Sequence, residues 1–345
     1  MTSAVFDVIE GGLLTTVQDA GRPDWAHVGV PESGAADPWS LAVANLLVGN
    51  DPGAAALEVT LIGPTLAVRD GTAVTIGLAG ADLGARIRGG RRLRPGRSHH
   101  VAAGDILEFA PDDGTAMAAG IRAYLSIPGG IDVPVMLGSR STCLAGGFGG
   151  LAGRALRSGD EIPARHPRAG GPGTGGTGLV RPELVWPEPD AAGGTGDPDR
   201  PTTLRVIAGP DPGLDALAGR AWRVGTAADR VGVRLDGDAL PDGIGGETTT
   251  LGVPWGAIQV PPDGRPILLG ADHQATGGYR VVGVVISADL PVLGQLRPGA
   301  AVRLAATDRA TALHALRDRH AALAAGAAAL RDAAGWGALI DSAGS

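Results

Sequence analysis

The chain has 345 residues and a formal net charge of −7, with 58 glycines and 26 prolines interrupting its apolar runs. All 29 basic residues are arginine, which excludes a Schiff-base lysine, a P-loop lysine and a lysine that carries biotin as an amide. Cys143 is the only cysteine, so an internal disulfide is excluded. The basic residues form no stripe of the kind that predicts nucleic-acid binding. The sequence shows no membrane span and no signal pattern, so we expect a soluble cytoplasmic protein.

The apolar runs are short and separated by glycine-containing turns, which predicts a mainly β protein with few helices. Residues 101–109, 156–162 and 296–304 repeat one form, in which a turn with glycine leads into an alternating strand. This repetition is typical of antiparallel β modules and argues against βαβ units. We therefore predict two β-rich domains.

Three helices are predicted. The clearest runs from Asp37, an N-cap residue, to Gly49, which suits a helix end, with Pro38 at the first helical position. A second is predicted at residues 211–223 and a terminal helix or helix pair at residues 307–334.

The segment 166–201 is rich in glycine and proline and predicts a flexible linker. The predicted organisation is an N-terminal β-rich domain at 1–165, this linker, a C-terminal β domain at 202–305 and a helical tail at 306–345.

The first stretch that could carry chemistry is TTVQDAGRPDWAHVG. Gln18, Asp19, Arg22 and His27 could point into one site as donors and acceptors. Alternatively, Asp19 and Arg22 form a salt bridge that shapes a turn, with His27 hydrogen-bonded nearby.

The second stretch, residues 137–154, combines a glycine-rich run with arginines and hydroxyls. These groups can bind an oxyanion or phosphate. It contains no Gly-Lys-Ser/Thr, and an ordinary turn explains it equally well. We expect Cys143, which has no obvious nearby base, to be a buried small residue. The candidate phosphate- or carboxyl-binding residues are Ser139, Arg140, Ser141, Gly149, Gly150 and Arg154, together with Arg22.

The third stretch is a polar cluster between two apolar runs at 265–270 and 280–286. It is either a hairpin or arch that faces water, or the polar wall of a ligand pocket. Asp272 and His273 could act as base and orienting group, or form a structural contact. His273 has no histidine partner nearby, so no metal site is predicted. The candidate substrate contacts here are Gln274, Thr276, Gly277, Gly278 and Tyr279.

A fourth stretch, residues 228–237, alternates apolar and charged residues like a half-exposed strand. Arg230 and Arg234 would share one strand face. That face would bind an acidic substrate or partner, or simply be solvated.

Together these stretches resemble the family known as allophanate hydrolase subunit 2, or biotin-dependent carboxyltransferase, which includes the C subunit of 5-oxoprolinase and the Kip-type antagonist. The resemblance covers roughly residues 8–305. The matching blocks are TTVQDAGRPDWAHVGVPESGAADP (15–38), LEVTLIGP (57–64), LGSRSTCLAGGFGGLAGRALRSGD (137–160), ADRVGVRL (228–235), GAIQVPPDGRPILLGADHQATGGY (256–279) and ISADLPVLGQLRPG (286–299).

The resemblance implies a cyclophilin-like barrel character and two partner proteins. One is a Kip-type inhibitor protein of the allophanate hydrolase subunit 1 family, and the other is a lactam-utilisation protein. The three-protein complex would use ATP with Mg to hydrolyse 5-oxoproline to glutamate. The alternatives are a carboxyltransferase that passes CO2 from biotin carried on another chain to urea or a related amide, and a non-catalytic regulatory binding protein.

In the leading interpretation, Asp19 or Asp272 accepts the ring N–H of the lactam. Arginines would stabilise a phosphorylated amide oxygen, and polar side chains of the third stretch would orient the ring. The donors are Arg22, Arg140 and Arg154, and the orienting residues are Gln274, Thr276 and Tyr279.

Overall fold

The computed structural model describes residues 3–71, 73–110, 120–164 and 201–343. These residues form two compact units. The first contains the described residues of 3–164 except 22–37, together with the end of the chain from residue 321. The second contains residues 22–37 and 201–320.

The predicted domains divide the chain at residues 165 and 202. The structure differs in one respect, because the short segment 22–37 groups with the C-terminal half of the chain. The predicted linker lies outside the described residues except for Pro201. Among the described residues, no helix is both long and apolar enough to cross a membrane.

The first unit contains two five-stranded sheets, with strand orders β10-β1-β4-β8-β6 and β2-β3-β9-β5-β7. All strand neighbours in both sheets are antiparallel. The strands are β1 Ser3–Glu10, β2 Leu14–Gln18, β3 Ala56–Thr60, β4 Thr65–Val68, β5 Val74–Gly80, β6 Ala85–Ile87, β7 Arg97–Val101, β8 Ile106–Phe109, β9 Arg122–Ser126 and β10 Glu161–Ala164.

One apolar core joins the two sheets of this unit. Phe6 and Leu66 come from the first sheet, Leu57 and Leu78 from the second, and all four are buried. Because strand side chains alternate between faces, the opposite face of the second sheet needs its own cover. Burial of many aliphatic side chains on the shared face supplies the main driving force for folding of this unit.

Helix α1, Pro38–Leu46, covers part of that opposite face. It confirms the helix predicted at 37–49: proline begins it, and the N–H of Gly49, in a left-handed conformation, donates to the carbonyl of Leu46 at 3.1 Å. A Cβ at Gly77 of β5 would lie 2.1 Å from the Ala44 carbonyl oxygen, so this glycine permits the close approach of α1.

The second unit contains a closed β-barrel of seven strands, in the order β11-β18-β12-β13-β16-β15-β17, with β14 attached to β17. Pairing of Val206 with Val285 joins β11 to β17 and closes the barrel. This confirms the prediction of a mainly β chain with barrel character. The strands are β11 Thr202–Ala208, β12 Ala221–Val224, β13 Gly232–Asp236, β14 Glu247–Gly252, β15 Ala257–Val260, β16 Ile267–Leu269, β17 Thr276–Val285 and β18 Ala301–Ala306.

The helical parts of this half of the chain differ from the prediction. The helix predicted at 211–223 is wrong for most of its length: α2 is only Leu214–Leu217, and the buried Trp222 belongs to β12, where exposed and buried residues alternate. The terminal helix is confirmed and is longer than predicted. The remaining helices are α3 Leu290–Gly294 and α4 Arg309–Ala343, with 3-10 helices at Pro23–Val28 and Ser287–Asp289.

Replacing Gly77 by alanine should lower the free energy of unfolding by about 1–3 kcal/mol, because the added methyl group overlaps the backbone of α1. The matched control is Gly90→Ala, where a Cβ meets its nearest atoms at 3.5 Å, so the change should stay within about 0.5 kcal/mol. Denaturant unfolding measures both. Equal stability of the two variants would contradict the packing of α1 on β5.

Candidate functional site

The carboxylate of Asp19, directly after β2, is the centre of a hydrogen-bond cluster in the first unit. Its Oδ1 accepts from the N–H of Gly21 at 2.9 Å and from the hydroxyl of Ser139 at 2.6 Å. The hydroxyl of Ser141 also donates to Oδ1, and the backbone N–H of Arg140 donates to Oδ2 at 2.5 Å. Four donors occupy this carboxylate, and three of them come from the loop 139–141, so the carboxylate holds this loop in place.

Residues on either side of Asp19 and Ser141 extend the cluster. The N–H and the hydroxyl of Thr142 both donate to the carbonyl of Val17, at 2.9 and 3.0 Å. The amide nitrogen of Gln18 donates to Thr16 Oγ1 and to the Thr142 carbonyl. Gln18 Oε1 is buried and accepts no hydrogen bond from the described residues.

Two glycines of the run 146–153, Gly150 and Gly153, lie too close to neighbouring atoms to carry a side chain. A Cβ at Gly150, whose φ is 52°, would lie 1.9 Å from Thr142 Oγ1. The N–H of Gly150 donates to the Arg140 carbonyl at 3.0 Å, and that of Gly153 donates to the Gly149 carbonyl at 2.7 Å. The N–H groups of Gly150 and Gly153 are therefore in use and are not available to a phosphate.

The two arginines of this loop have different surroundings. Arg154 forms a two-pronged ion pair with Asp160, at 2.7 and 2.8 Å. The hydrogen bond from Arg154 lowers the pKa of Asp160, and the same bond raises the pKa of Arg154. Arg140 contacts Asp132 at 3.4 Å through Nη2, while its buried Nε–H has no acceptor among the described residues. Arg140 is therefore the better anion-binding candidate of the two.

In the second unit, Asp272 is one half of a buried ion pair. Arg230 Nε and Nη2 donate to its two oxygens at 2.7 and 3.0 Å, and the Arg230 side chain is 2% exposed. Nη2 also donates to the Gly34 carbonyl at 2.6 Å. Arg230 precedes β13 and is buried while Arg234 is exposed, so the shared face predicted for these two arginines is wrong.

His273, next to Asp272, has one buried ring nitrogen that makes no hydrogen bond with the described residues. Its Nδ1 lies 2.7 Å from the Gln274 carbonyl oxygen, an acceptor, so Nδ1 carries the proton in the neutral ring. Nε2 then presents a lone pair, and no described residue donates to it although the side chain is only 3% exposed. The described residues include no group of three or more His, Cys, Asp or Glu that could hold a metal ion.

The connection that contains these residues is an arch, because β15 lies between β16 and β17. Gln274, Thr276 and Tyr279 are exposed, and Gly278 is half-buried. Gly277 is buried, and a Cβ there would meet the Gln259 amide nitrogen at 2.3 Å.

The segment 22–37 places two further candidates in different environments. Arg22 is 2% exposed, and its backbone N–H donates to the Glu32 carbonyl at 2.8 Å. His27 is exposed, stacks on Trp25 and has Nδ1 2.9 Å from the Asp24 carbonyl oxygen.

The structure therefore makes two groupings, one in each unit. Gln18 and Asp19 meet the loop 139–141 in the first, and Asp272 and His273 meet Arg230 in the second. A single site formed from both stays a prediction.

One buried polar group was missed by the sequence reasoning. Glu58 of β3 accepts from the Tyr124 hydroxyl at 2.7 Å and lies 3.6 Å from Arg122 Nε. The available signal was a glutamate inside the apolar run ALEVT, where a lone charge needs partners on the neighbouring strand.

Replacing Asp19 by asparagine should lower the free energy of unfolding by about 1–3 kcal/mol, because an amide N–H would face donors that now find an acceptor. The matched control is Asp24→Asn at an exposed position, expected within about 0.5 kcal/mol. Denaturant unfolding at pH 7 separates them. A loss no larger than that of the control would contradict the role of this carboxylate.

The Arg154–Asp160 pair should make stability depend on pH in acid. Because the folded state lowers the pKa of Asp160 below 3.8, the pair stabilises the fold above that pH, and this contribution is lost as pH falls through the lower folded value. Wild type should exceed Arg154→Met by no more than about 1 kcal/mol at pH 6, since both groups are partly exposed. The difference should shrink when unfolding is measured below pH 3.8; a difference that grows there would be inconsistent with the pair.

Comparison with known proteins assigns the chain to a family. Residues 28–306 match the model of the carboxyltransferase domain, subdomain A and B. The chain is 32% identical to the C subunit of 5-oxoprolinase from Escherichia coli over 90% of this chain and 94% of that protein. It is 33% identical to urea amidolyase of Lachancea kluyveri over 86% of this chain but 17% of that protein.

Solved structures agree with this assignment. The crystal structure of TTHA0988 has a TM-score of 0.74 and 34% identity, over 88% of this chain and 56% of that one. The K. lactis urea amidolyase has a TM-score of 0.74 and 29% identity, over 94% of this chain and 20% of that one. The chain belongs to the carboxyltransferase domain family, subdomain A and B.

Proposed function

We propose that this chain is the C subunit of an ATP-dependent 5-oxoprolinase. It would open the lactam of 5-oxoproline to glutamate together with two partners, the lactam-utilisation protein and the Kip-type inhibitor protein. The observation that carries the proposal is the alignment with the E. coli C subunit over 94% of that protein. A second 5-oxoprolinase C subunit, from Haemophilus influenzae, aligns over 91% of its length.

The chemistry sets requirements for the site. A lactam carbonyl is a poor electrophile. Phosphorylation of its oxygen by ATP would release ADP and the proton of the ring N–H, and water would then attack the ring carbon. The C–N bond would break as the nitrogen regains protons, and a second water would hydrolyse the resulting acyl phosphate to the carboxylate and phosphate. During phosphorylation the ring N–H needs an acceptor for its proton, and the phosphoryl oxygens, which carry the negative charge, need N–H donors. Both groups work best when fixed in place before the substrate binds.

His273 supplies the acceptor in this proposal. Its protonated Nδ1 is fixed on the Gln274 carbonyl, which leaves the Nε2 lone pair for a ring N–H. The two aspartates proposed from the sequence for this role are already engaged by other donors. Asp272 instead fixes the backbone beside His273 through Arg230, and Asp19 fixes the loop that carries Arg140.

Arg140 is the anion-binding candidate of the first unit. Its Nε–H has no acceptor among the described residues, whereas Arg154 is held by Asp160. Gln274, Thr276 and Tyr279 are exposed and remain free to orient a ring.

Two observations favour an ATP site on another protein of the complex. The N–H groups of Gly150 and Gly153 are bonded within the first unit, and the described residues contain no group of three or more His, Cys, Asp or Glu that could hold a metal ion by itself. The proposal therefore assigns ATP to another protein of the complex, and this chain to binding and orienting the lactam.

The direct test combines the purified chain with the lactam-utilisation protein and the Kip-type inhibitor protein and measures glutamate released from 5-oxoproline. Release that requires ATP and all three proteins is expected. No release, together with carboxylation of urea by carboxybiotin, would replace this function by carboxyltransfer.

In that complex, His273→Ala should lower kcat/KM by about 100-fold or more, because the ring N–H loses its acceptor. The matched control is His100→Ala, an exposed histidine of β7, which should leave kcat/KM within about twofold of wild type. A loss below about threefold for His273→Ala would remove this residue from the mechanism.

Carboxyltransfer to urea or a related amide is the second candidate. It is favoured by the urea amidolyase relatives and by the fit of 94% of this chain to the K. lactis structure. Biotin would then be carried on another chain, because this sequence contains no lysine. In either reaction, the His273 Nε2 lone pair would accept a hydrogen bond from an amide N–H.

A further inference from the structure

Two tight turns lie side by side at one end of the barrel in the second unit. The first, residues 254–257, leads into β15, and the second, residues 270–273, follows β16. Because β15 and β16 are antiparallel neighbours, with Ile258 opposite Leu268, the start of one strand lies beside the end of the other. The two turns are therefore adjacent, although their residues are well separated in the sequence.

Backbone hydrogen bonds join the two segments on both sides of Trp255. The N–H of Gly256 donates to the Leu269 carbonyl at 2.9 Å, and the N–H of Val253 donates to the Ala275 carbonyl at 3.1 Å. Gly256 has a φ of 82°, the positive value that the third position of a type II turn requires. The turn that carries Trp255 is thus fixed against the segment that carries His273.

Each turn carries a buried ring nitrogen that makes no hydrogen bond with the described residues. Nε1 of Trp255 can only donate, and Nε2 of His273 in the neutral ring, whose Nδ1 carries the proton, can only accept. A buried indole N–H usually finds a partner, and leaving it unpaired costs free energy. Trp222 shows the usual arrangement, since its Nε1 donates to the Leu217 carbonyl at 3.3 Å.

We propose that Trp255 and His273 bind the same edge of one cyclic amide, with the indole N–H donating to the carbonyl oxygen and the imidazole Nε2 accepting from the ring N–H. An open-chain secondary amide is trans, so its N–H and C=O point in opposite directions. A small lactam ring forces the amide to be cis, which places both groups on one edge. A donor beside an acceptor therefore selects lactams, together with urea and primary amides, which present the same edge.

The inference rests on the proposed function, from which it takes the role of His273. It adds the residue that recognises the carbonyl oxygen and the feature of the substrate that the site selects. The carbonyl oxygen has two lone pairs. The one that does not meet the indole of Trp255 stays available for phosphorylation, so this hydrogen bond is compatible with the proposed reaction.

The test titrates the full chain with 5-oxoproline, N-methyl-5-oxoproline and N-acetylglycine, and measures each dissociation constant by calorimetry. Wild type should bind 5-oxoproline about tenfold or more tightly than either of the others, since one lacks the N–H and the other is a trans amide. Trp255→Phe, which keeps an aromatic ring but removes the N–H, should weaken binding of 5-oxoproline by about tenfold.

The matched control is Trp222→Phe, the same replacement where the N–H already has a partner. It should bind all three ligands within about twofold of wild type and lower the thermal midpoint by about 2–4 °C, because the Leu217 carbonyl loses its donor. Trp255→Phe should lower the midpoint by less, since its N–H has no partner among the described residues and its side chain is only half-buried.

The comparison of ligands on wild type needs no variant, so a loss of folding cannot affect it. Equal affinity for 5-oxoproline and N-acetylglycine overturns the proposal, and so does an affinity of Trp255→Phe for 5-oxoproline within about twofold of wild type. Wild type that binds none of the three ligands overturns it as well.

Glutamate release from the three-protein mixture is measured separately. Release together with binding that does not depend on Trp255 overturns only this inference. Binding of 5-oxoproline that depends on Trp255, without release, overturns only the proposed function.

Discussion

The carboxylate of Asp19 is the interaction on which the candidate site of the first unit depends. It holds the loop 139–141 against the end of β2, and this loop carries Arg140 and follows the exposed apolar residues 135–137. A single acceptor with four donors fixes the loop because Ser139 and Ser141 are buried, so their hydroxyls would lose a hydrogen bond that water cannot easily replace. The irregular parts of this unit are therefore held by polar contacts, and its sheets by their apolar core.

In the second unit a buried ion pair holds the irregular backbone in place. Arg230 satisfies both oxygens of Asp272 and the Gly34 carbonyl, so the arch before β17 has a fixed conformation. The pair is buried, and removing either partner would leave an uncompensated charge. In both units the carboxylates that look catalytic in the sequence organise the backbone, while the neighbouring His273 and Arg140 retain open nitrogen atoms.

For the glycine-rich run 146–153 and for Arg154, residue type alone does not predict the role, because the role depends on the contacts that each makes in the fold. The run 146–153 has the composition of an anion-binding loop, yet Gly150 is needed because the loop passes over Thr142. Arg154 has the charge to bind a phosphate, yet Asp160, six residues later, accepts hydrogen bonds from both its terminal nitrogens. Such pairings depend on where the chain turns, and residue type does not specify that.

Strand alternation, turn glycines and the helix signals around Pro38 specified a mainly β chain and α1, because these patterns act over a few neighbouring residues. The ordered blocks of residues specified the family. Only the tertiary structure decided which partner each polar side chain has, that Trp222 belongs to a strand, and that residues 22–37 group with the second unit. Those outcomes depend on contacts between residues far apart in the chain, where burial and the pairing of polar groups override local preference.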